Sequence, residues 1–165
     1  MNLIFLLADD FTGDPHHVRL HGRRQAHVLC VHRAHVGATL RVGLLNGELG
    51  TGRIVGLTGD ALEMEVTLDQ APPAPLQLTL LLALPRPKSF KRVLQAVTAM
   101  GVKDIVLMNA WRVETSFWDS PVLQPAAVRE QLVLGLEQAC DTRLPEGEGQ
   151  FRDTHERANL GSRMP

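Results

Sequence analysis

Residues 78–109 read LTLLLALPRPKSFKRVLQAVTAMGVKDIVLMN. An apolar run, a cationic loop, an amphipathic segment and a second apolar run follow one another, which predicts a β-α-β unit. Leu76–Leu84 is apolar almost throughout, as for a strand covered on both faces of a parallel sheet. Phe90, Val93, Leu94, Val97 and Met100 recur at helical spacing, while Lys91, Arg92 and Gln95 take the other face. Gly101 is placed to end that helix. Asp104–Met108 supplies the second strand. Between first strand and helix lies Pro85-Arg86-Pro87-Lys88, at the strand end where open α/β sheets hold ligands. The loop lacks the glycines of a dinucleotide-binding turn, so a Rossmann oxidoreductase is not indicated.

Upstream, the sequence predicts a mostly β region. Candidate strands are Asn2–Leu7, Thr39–Leu45, Gly52–Leu57 and Ala61–Leu68, with one helix from about Arg23 to Ala34 and Gly37 closing it. Asn46-Gly47 reads as a hairpin turn whose residues both tolerate positive φ. Short strands with a single helix suit a small barrel over residues 1–70. Ala71-Pro72-Pro73-Ala74-Pro75 is a stiff connector, residues 76–145 form a second domain, and a further helix runs from about Pro125 to Cys140. Past Pro145 apolar anchors are sparse, and residues 146–165 are expected to be disordered.

The chain is 44% hydrophobic with a formal net charge of −1, so bulk charge names no partner. Distribution is more informative. Pro15–Gly43 holds Arg19, Arg23, Arg24, Arg33 and Arg41 with six histidines and no acid. Ala71–Lys103 holds Arg86, Lys88, Lys91, Arg92 and Lys103, again without an acid. Clustered cations are what phosphate contacts need. Two cysteines form no disulfide framework. The apolar Leu3–Ala8 is short and runs into Asp9-Asp10, which suits a strand better than a signal peptide, and a cytoplasmic location is expected.

His27, Cys30, His32 and His35 carry metal-ligand chemistry, but on one helix they point in diverging directions, and no metal site is expected. Trp111 and Trp118 are residue types that stack on bases; in a chain poor in aromatics, packing is the favoured role. No nucleophile–base pair stands out, and Glu137 reads as a solvated helix charge.

Several stretches together resemble the ribosomal RNA small subunit methyltransferase E family. They are LPRPKSFKRVLQ at 84–95, MGVKDIV at 100–106, RVE at 112–114 with FWDSP at 117–121, and LVLGLEQA at 132–139 followed by DTRLP at 141–145. Val18-Arg19-Leu20, His27-Val28-Leu29, Arg33, Val36-Gly37 and the run from Val42 to Gly47 extend the likeness to the N-terminal half. The resemblance implies an α/β fold with a β-barrel: a PUA-like RNA-binding barrel followed by a SPOUT-class domain. It further implies methyl transfer from S-adenosylmethionine to uracil N3 in 16S rRNA of the small ribosomal subunit, by a homodimer. Carried onto this sequence, the RNA-contact candidates are Arg23, Arg24, His27, Arg33, Arg86, Lys88 and Arg92. The Gly-Pro-Glu-Gly type motif of the family's cofactor-binding knot is absent. The chain is therefore expected to hold only the first half of the SPOUT domain, with no residue assignable to the methyl donor, no catalytic residue identifiable and activity weak or absent. A non-catalytic RNA-binding module or a non-functional fragment is the alternative.

Overall fold

The computed structural model describes residues 3–32 and 34–145. They build seven strands and three α-helices: β1 Ile4–Leu6, β2 His17–His21, α1 Gly22–His32, β3 Thr39–Leu44, β4 Leu49–Leu57, β5 Ala61–Gln70, β6 Thr79–Ala83, α2 Pro87–Ala99, β7 Asp104–Met108 and α3 Pro125–Ala139. The chain divides into two compact units. One is the chain up to Pro73 together with Leu136–Arg143; the other is Ala74–Gly135 with Leu144 and Pro145.

In the first unit the strands form one sheet in the order β1-β3-β4-β5-β2. β1 pairs with β3 in parallel and the other pairs are antiparallel. Alternation drives burial: Val18 and Leu20 of β2, Leu40 and Val42 of β3, and Leu62, Met64 and Val66 of β5 turn inward and meet Ile4, Leu6 and Ile54. Val28 of α1 is fully buried in the same cluster. The small barrel expected from the sequence takes the form of a curled five-stranded half-barrel. β1 and β2 are opposite edges with no ladder between them, and α1 contacts both. A strand of three residues offers too few ladder bonds to close a barrel, and a helix covers the open side instead.

Two local differences have clear causes, and one glycine a steric one. β2 was not foreseen, because its apolar residues are only Val18 and Leu20 between His17, Arg19 and His21. The β3–β4 turn puts only Asn46, not Gly47, at positive φ (61°); Gly47 N–H donates to Leu44 O at 2.8 Å. At Gly50, where the β4–β5 register shifts, a Cβ would lie 1.8 Å from Thr67 O. Only glycine permits that backbone approach.

The segment Leu136–Arg143 is stitched into this first unit. Leu3 N–H donates to Glu137 O at 3.0 Å and Asn46 N–H to Thr142 O at 2.8 Å. The Thr142 hydroxyl donates to Gly47 O. Gly43 leaves the space that the Thr142 methyl fills, since a Cβ there would stand 2.5 Å from it.

In the second unit β6 and β7 pair in parallel, Thr79 against Asp104 through Ala83 against Met108, and α2 makes the crossover. Pro87 opens α2 at a position where its missing N–H costs nothing. Gly101, at φ 87°, lets the chain turn out of it. Phe90, Leu94 and Val97 are buried with Ile105, Leu107, Val128 and Leu132. Two expectations for this unit fail. Met100 is 63% exposed, having fallen beyond the last helical turn, and Leu81 is 64% exposed. The β6–β7 sheet has two strands among the described residues, so β6 half-buries Leu80 and Leu82 and leaves its other face exposed.

Gly135 lets α3 approach α2: a Cβ there would sit 2.6 Å from Gln95 O and 2.8 Å from Thr98 Cβ. Under that contact the Thr98 hydroxyl is fully buried without a hydrogen-bond partner among the described residues. Thr98→Val removes the unsatisfied oxygen at nearly constant shape and is expected to raise stability by about 1 kcal/mol. Urea unfolding measures it, and a fall in the midpoint would mean that the hydroxyl has a partner. The residues expected to form a disordered tail lie outside those described, as does Arg33. No described helix is long and apolar enough to cross a membrane.

Candidate nucleic-acid interface

The two acid-free blocks of sequence meet different fates in space. In the first unit, acids from distant segments reach Arg19, Arg23 and Arg24, while Arg41 is exposed without an ion pair among the described residues. Arg24, in the first turns of α1, makes a two-pronged pair with Asp10, its Nη2 lying 2.7 Å from Oδ1. It also donates to Phe5 O at 3.1 Å. Asp10 is itself buried and accepts from Leu7 N–H at 2.7 Å. Arg23 lies 3.6 Å from Glu137, whose side chain is only 14% exposed, so Glu137 is not the solvated helix charge its sequence context suggested. Arg19 stands 3.7 Å from Glu63 and Arg53 2.6 Å from Glu65.

Arg23, Arg24, His27 and Glu137 line an open cleft with Leu3, Ile4 and Phe5, with a cavity volume of about 10 Å³. That is below the size of most small-molecule sites. The donor set, two carboxylate-paired guanidiniums and an imidazole, does not fit a sulfonium cofactor carrying an adenosine. Of the candidates in this unit, Arg23 keeps an exposed guanidinium, Arg24 faces inward as a structural tie, and His27 is half-buried.

The second block is different. Arg86, Lys88, Lys91 and Arg92 are all exposed, and among the described residues none of them is ion-paired. Arg86 caps α2, its carbonyl accepting from Ser89 and Phe90 N–H at 2.8 and 2.9 Å. Lys88, Lys91 and Arg92 follow on the face opposite Phe90 and Leu94. Burial of the apolar face therefore fixes the direction in which the cations project. Lys103, from the same block, is buried and takes no part in this face.

Among the described residues no three His, Cys, Asp or Glu side chains are grouped so as to hold a metal ion. The tryptophans separate. Trp118 packs against the second core, whereas Trp111 is 99% exposed, against the expectation that both pack. The sequence held no clear signal for this: Asn109-Ala110 marks a loop without saying which side chain leaves the surface.

Comparison with known proteins adds an independent line. Residues 72–155 match a family model described as an RNA methyltransferase domain. Ribosomal RNA small subunit methyltransferase E of Treponema pallidum is 28% identical over 146 residues, 88% of this chain and 55% of the relative. The crystal structure of a ribosomal RNA small subunit methyltransferase E from Neisseria gonorrhoeae, bound to S-adenosyl methionine, superposes with a TM-score of 0.67 at 19% identity. It covers all of this chain and 66% of the other. A probable rRNA-methyltransferase from Porphyromonas gingivalis gives 0.66 at 18%, over 88% and 58%. At these identities the structural matches establish a shared fold. The chain spans about half to two thirds of the length of the proteins it matches.

Proposed function

Because this chain belongs to the RNA methyltransferase domain family, of the ribosomal RNA small subunit methyltransferase E type, we propose that it grips 16S rRNA of the small ribosomal subunit for methylation of a uracil N3 by S-adenosylmethionine. One observation carries the reading: the exposed, unpaired set Arg86, Lys88, Lys91 and Arg92 on α2 and the loop before it. Their role is to hold phosphates and set register, which charge does without reading bases. Arg23, with its outward guanidinium, adds a further contact, and the curled sheet of the first unit stands as the PUA-like element. A homodimer working in the cytoplasm completes the reading. S-adenosylmethionine would supply the methyl group. The cleft of the first unit does not suit it.

A second reading, favoured by the concentration of free cations on the described residues, is RNA binding without catalysis. The two share a first measurement. With four phosphate contacts, log affinity for a single-stranded segment of small-subunit rRNA is expected to fall with log salt at a slope of about −3. A flat salt dependence would sink both. Methyl transfer from labelled S-adenosylmethionine to 30S particles then separates them, since binding without transfer leaves the second.

A further inference from the structure

β6 and β7 run parallel, and their ladder continues one step beyond the strands, with Leu84 N–H donating to Met108 O at 3.1 Å. The segments that follow therefore leave the same end of the sheet side by side, about one strand spacing apart at their roots. One carries Arg86 and Lys88. The other closes at once into a tight turn, Ala110 O accepting from Val113 N–H at 2.9 Å, with Trp111 and Arg112 as its two central residues. The turn is held on both flanks. Asn109 Oδ1 accepts from Ala110 N–H at 3.0 Å, and Val113 packs into the second core together with Phe117 and Trp118.

A tryptophan at 99% exposure on a pinned turn leaves its whole indole surface in water. The two segments that leave this end of the sheet carry exposed cations, Arg86 and Lys88 on one and Arg112 on the other. Arg86, Lys88, Lys91, Arg92 and Arg112 are exposed and without ion pairs among the described residues. Asp104 lies at the opposite end of β7, where it accepts from the Thr79 hydroxyl at 2.6 Å. Glu114 and Asp119 follow only after Val113 has returned to the core. An aromatic face amid cations is the chemistry of single-stranded nucleic acid, whose bases stack while the backbone is tracked by charge. A protein partner would more often ask for a contiguous apolar patch around the ring.

We propose that the Trp111-Arg112 turn is a stacking platform for an unpaired base, with the flanking phosphates held by Arg86, Lys88 and Arg112. The inference rests on the RNA-binding reading above and adds to it a site that recognises single strands in preference to duplex. The base it holds is distinguished by being unpaired, not by its edge pattern.

The full chain contains two tryptophans, so Trp118→Phe leaves Trp111 as the reporter, and phenylalanine preserves packing at the other site. Titration with a single-stranded octauridylate is expected to quench Trp111 fluorescence, while a duplex of equal length quenches it far less. Trp111→Ala is expected to weaken octauridylate binding about tenfold, and Trp111→Phe to retain most of it. Unchanged octauridylate affinity in Trp111→Ala, with RNA binding otherwise intact, overturns the platform and leaves the RNA reading standing. Loss of all RNA binding by the unaltered chain overturns both. Emission that shifts to the blue with protein concentration in the absence of RNA would assign Trp111 to a contact between copies, and also overturns the platform.

Discussion

Changing Arg86, Lys88 and Arg92 together to glutamate is expected to lower affinity for a small-subunit rRNA fragment about a hundredfold at low salt, with no loss of folding stability. Each substitution removes a phosphate contact and adds a repulsion. None disturbs packing, because all three side chains are exposed and make no ion pair among the described residues. Fluorescence anisotropy of a labelled fragment across a salt series measures the loss, and the difference from the unaltered chain should shrink as salt rises. If affinity is unchanged, α2 is a solvated surface and RNA binding must be sought elsewhere. The same reversal at Arg24 is a different experiment. It would strike stability, because that guanidinium is already held by Asp10.

Asp10→Ala is the second large effect. The carboxylate is 7% exposed and its arginine 23%, so its removal strands a largely buried cation and also leaves Leu7 N–H without its acceptor. Breaking such a pair from one side is expected to cost about 3 kcal/mol. That lowers the melting temperature by about 10 °C in a chain of this size. Asp10→Ala combined with Arg24→Met should recover part of the loss, since the uncompensated charge is then gone. Recovery of none would mean that the cost comes from the Leu7 cap alone. Calorimetry on the two variants gives the comparison.

The β-α-β unit was legible because its signals are local: Phe90, Leu94 and Val97 repeat at helical spacing, Gly101 marks the exit, and Asp104–Met108 is a short apolar run bounded by turn residues. β2 was not, since two apolar residues among histidines and arginine give period-two patterning too little to work with. The charge blocks were half legible. Absence of acids along the chain does not mean absence in space, and Asp10, Glu63 and Glu137 come to the first block from outside it. The second block keeps its cations because α2 turns them away from the core that Phe90 and Leu94 enter. Nothing local announced that Trp111 would stand in water while Trp118 packed.

The clasp formed by Thr142 and Glu137 has a consequence for how the molecule is made. Ala74–Gly135 is an insertion between two pieces of one folding unit. The bond from the Thr142 hydroxyl to Gly47 joins residues 95 apart. A chain emerging from the ribosome can collapse β1 to β5 early, but it cannot seal the β3–β4 turn until Thr142 has been synthesised. Such late closure raises contact order and slows the final step. Before that step, Asn46 N–H and the Leu3 amide are open to solvent. Amide exchange during refolding should therefore show them protected last, after the hydrogen bonds of β4 and β5.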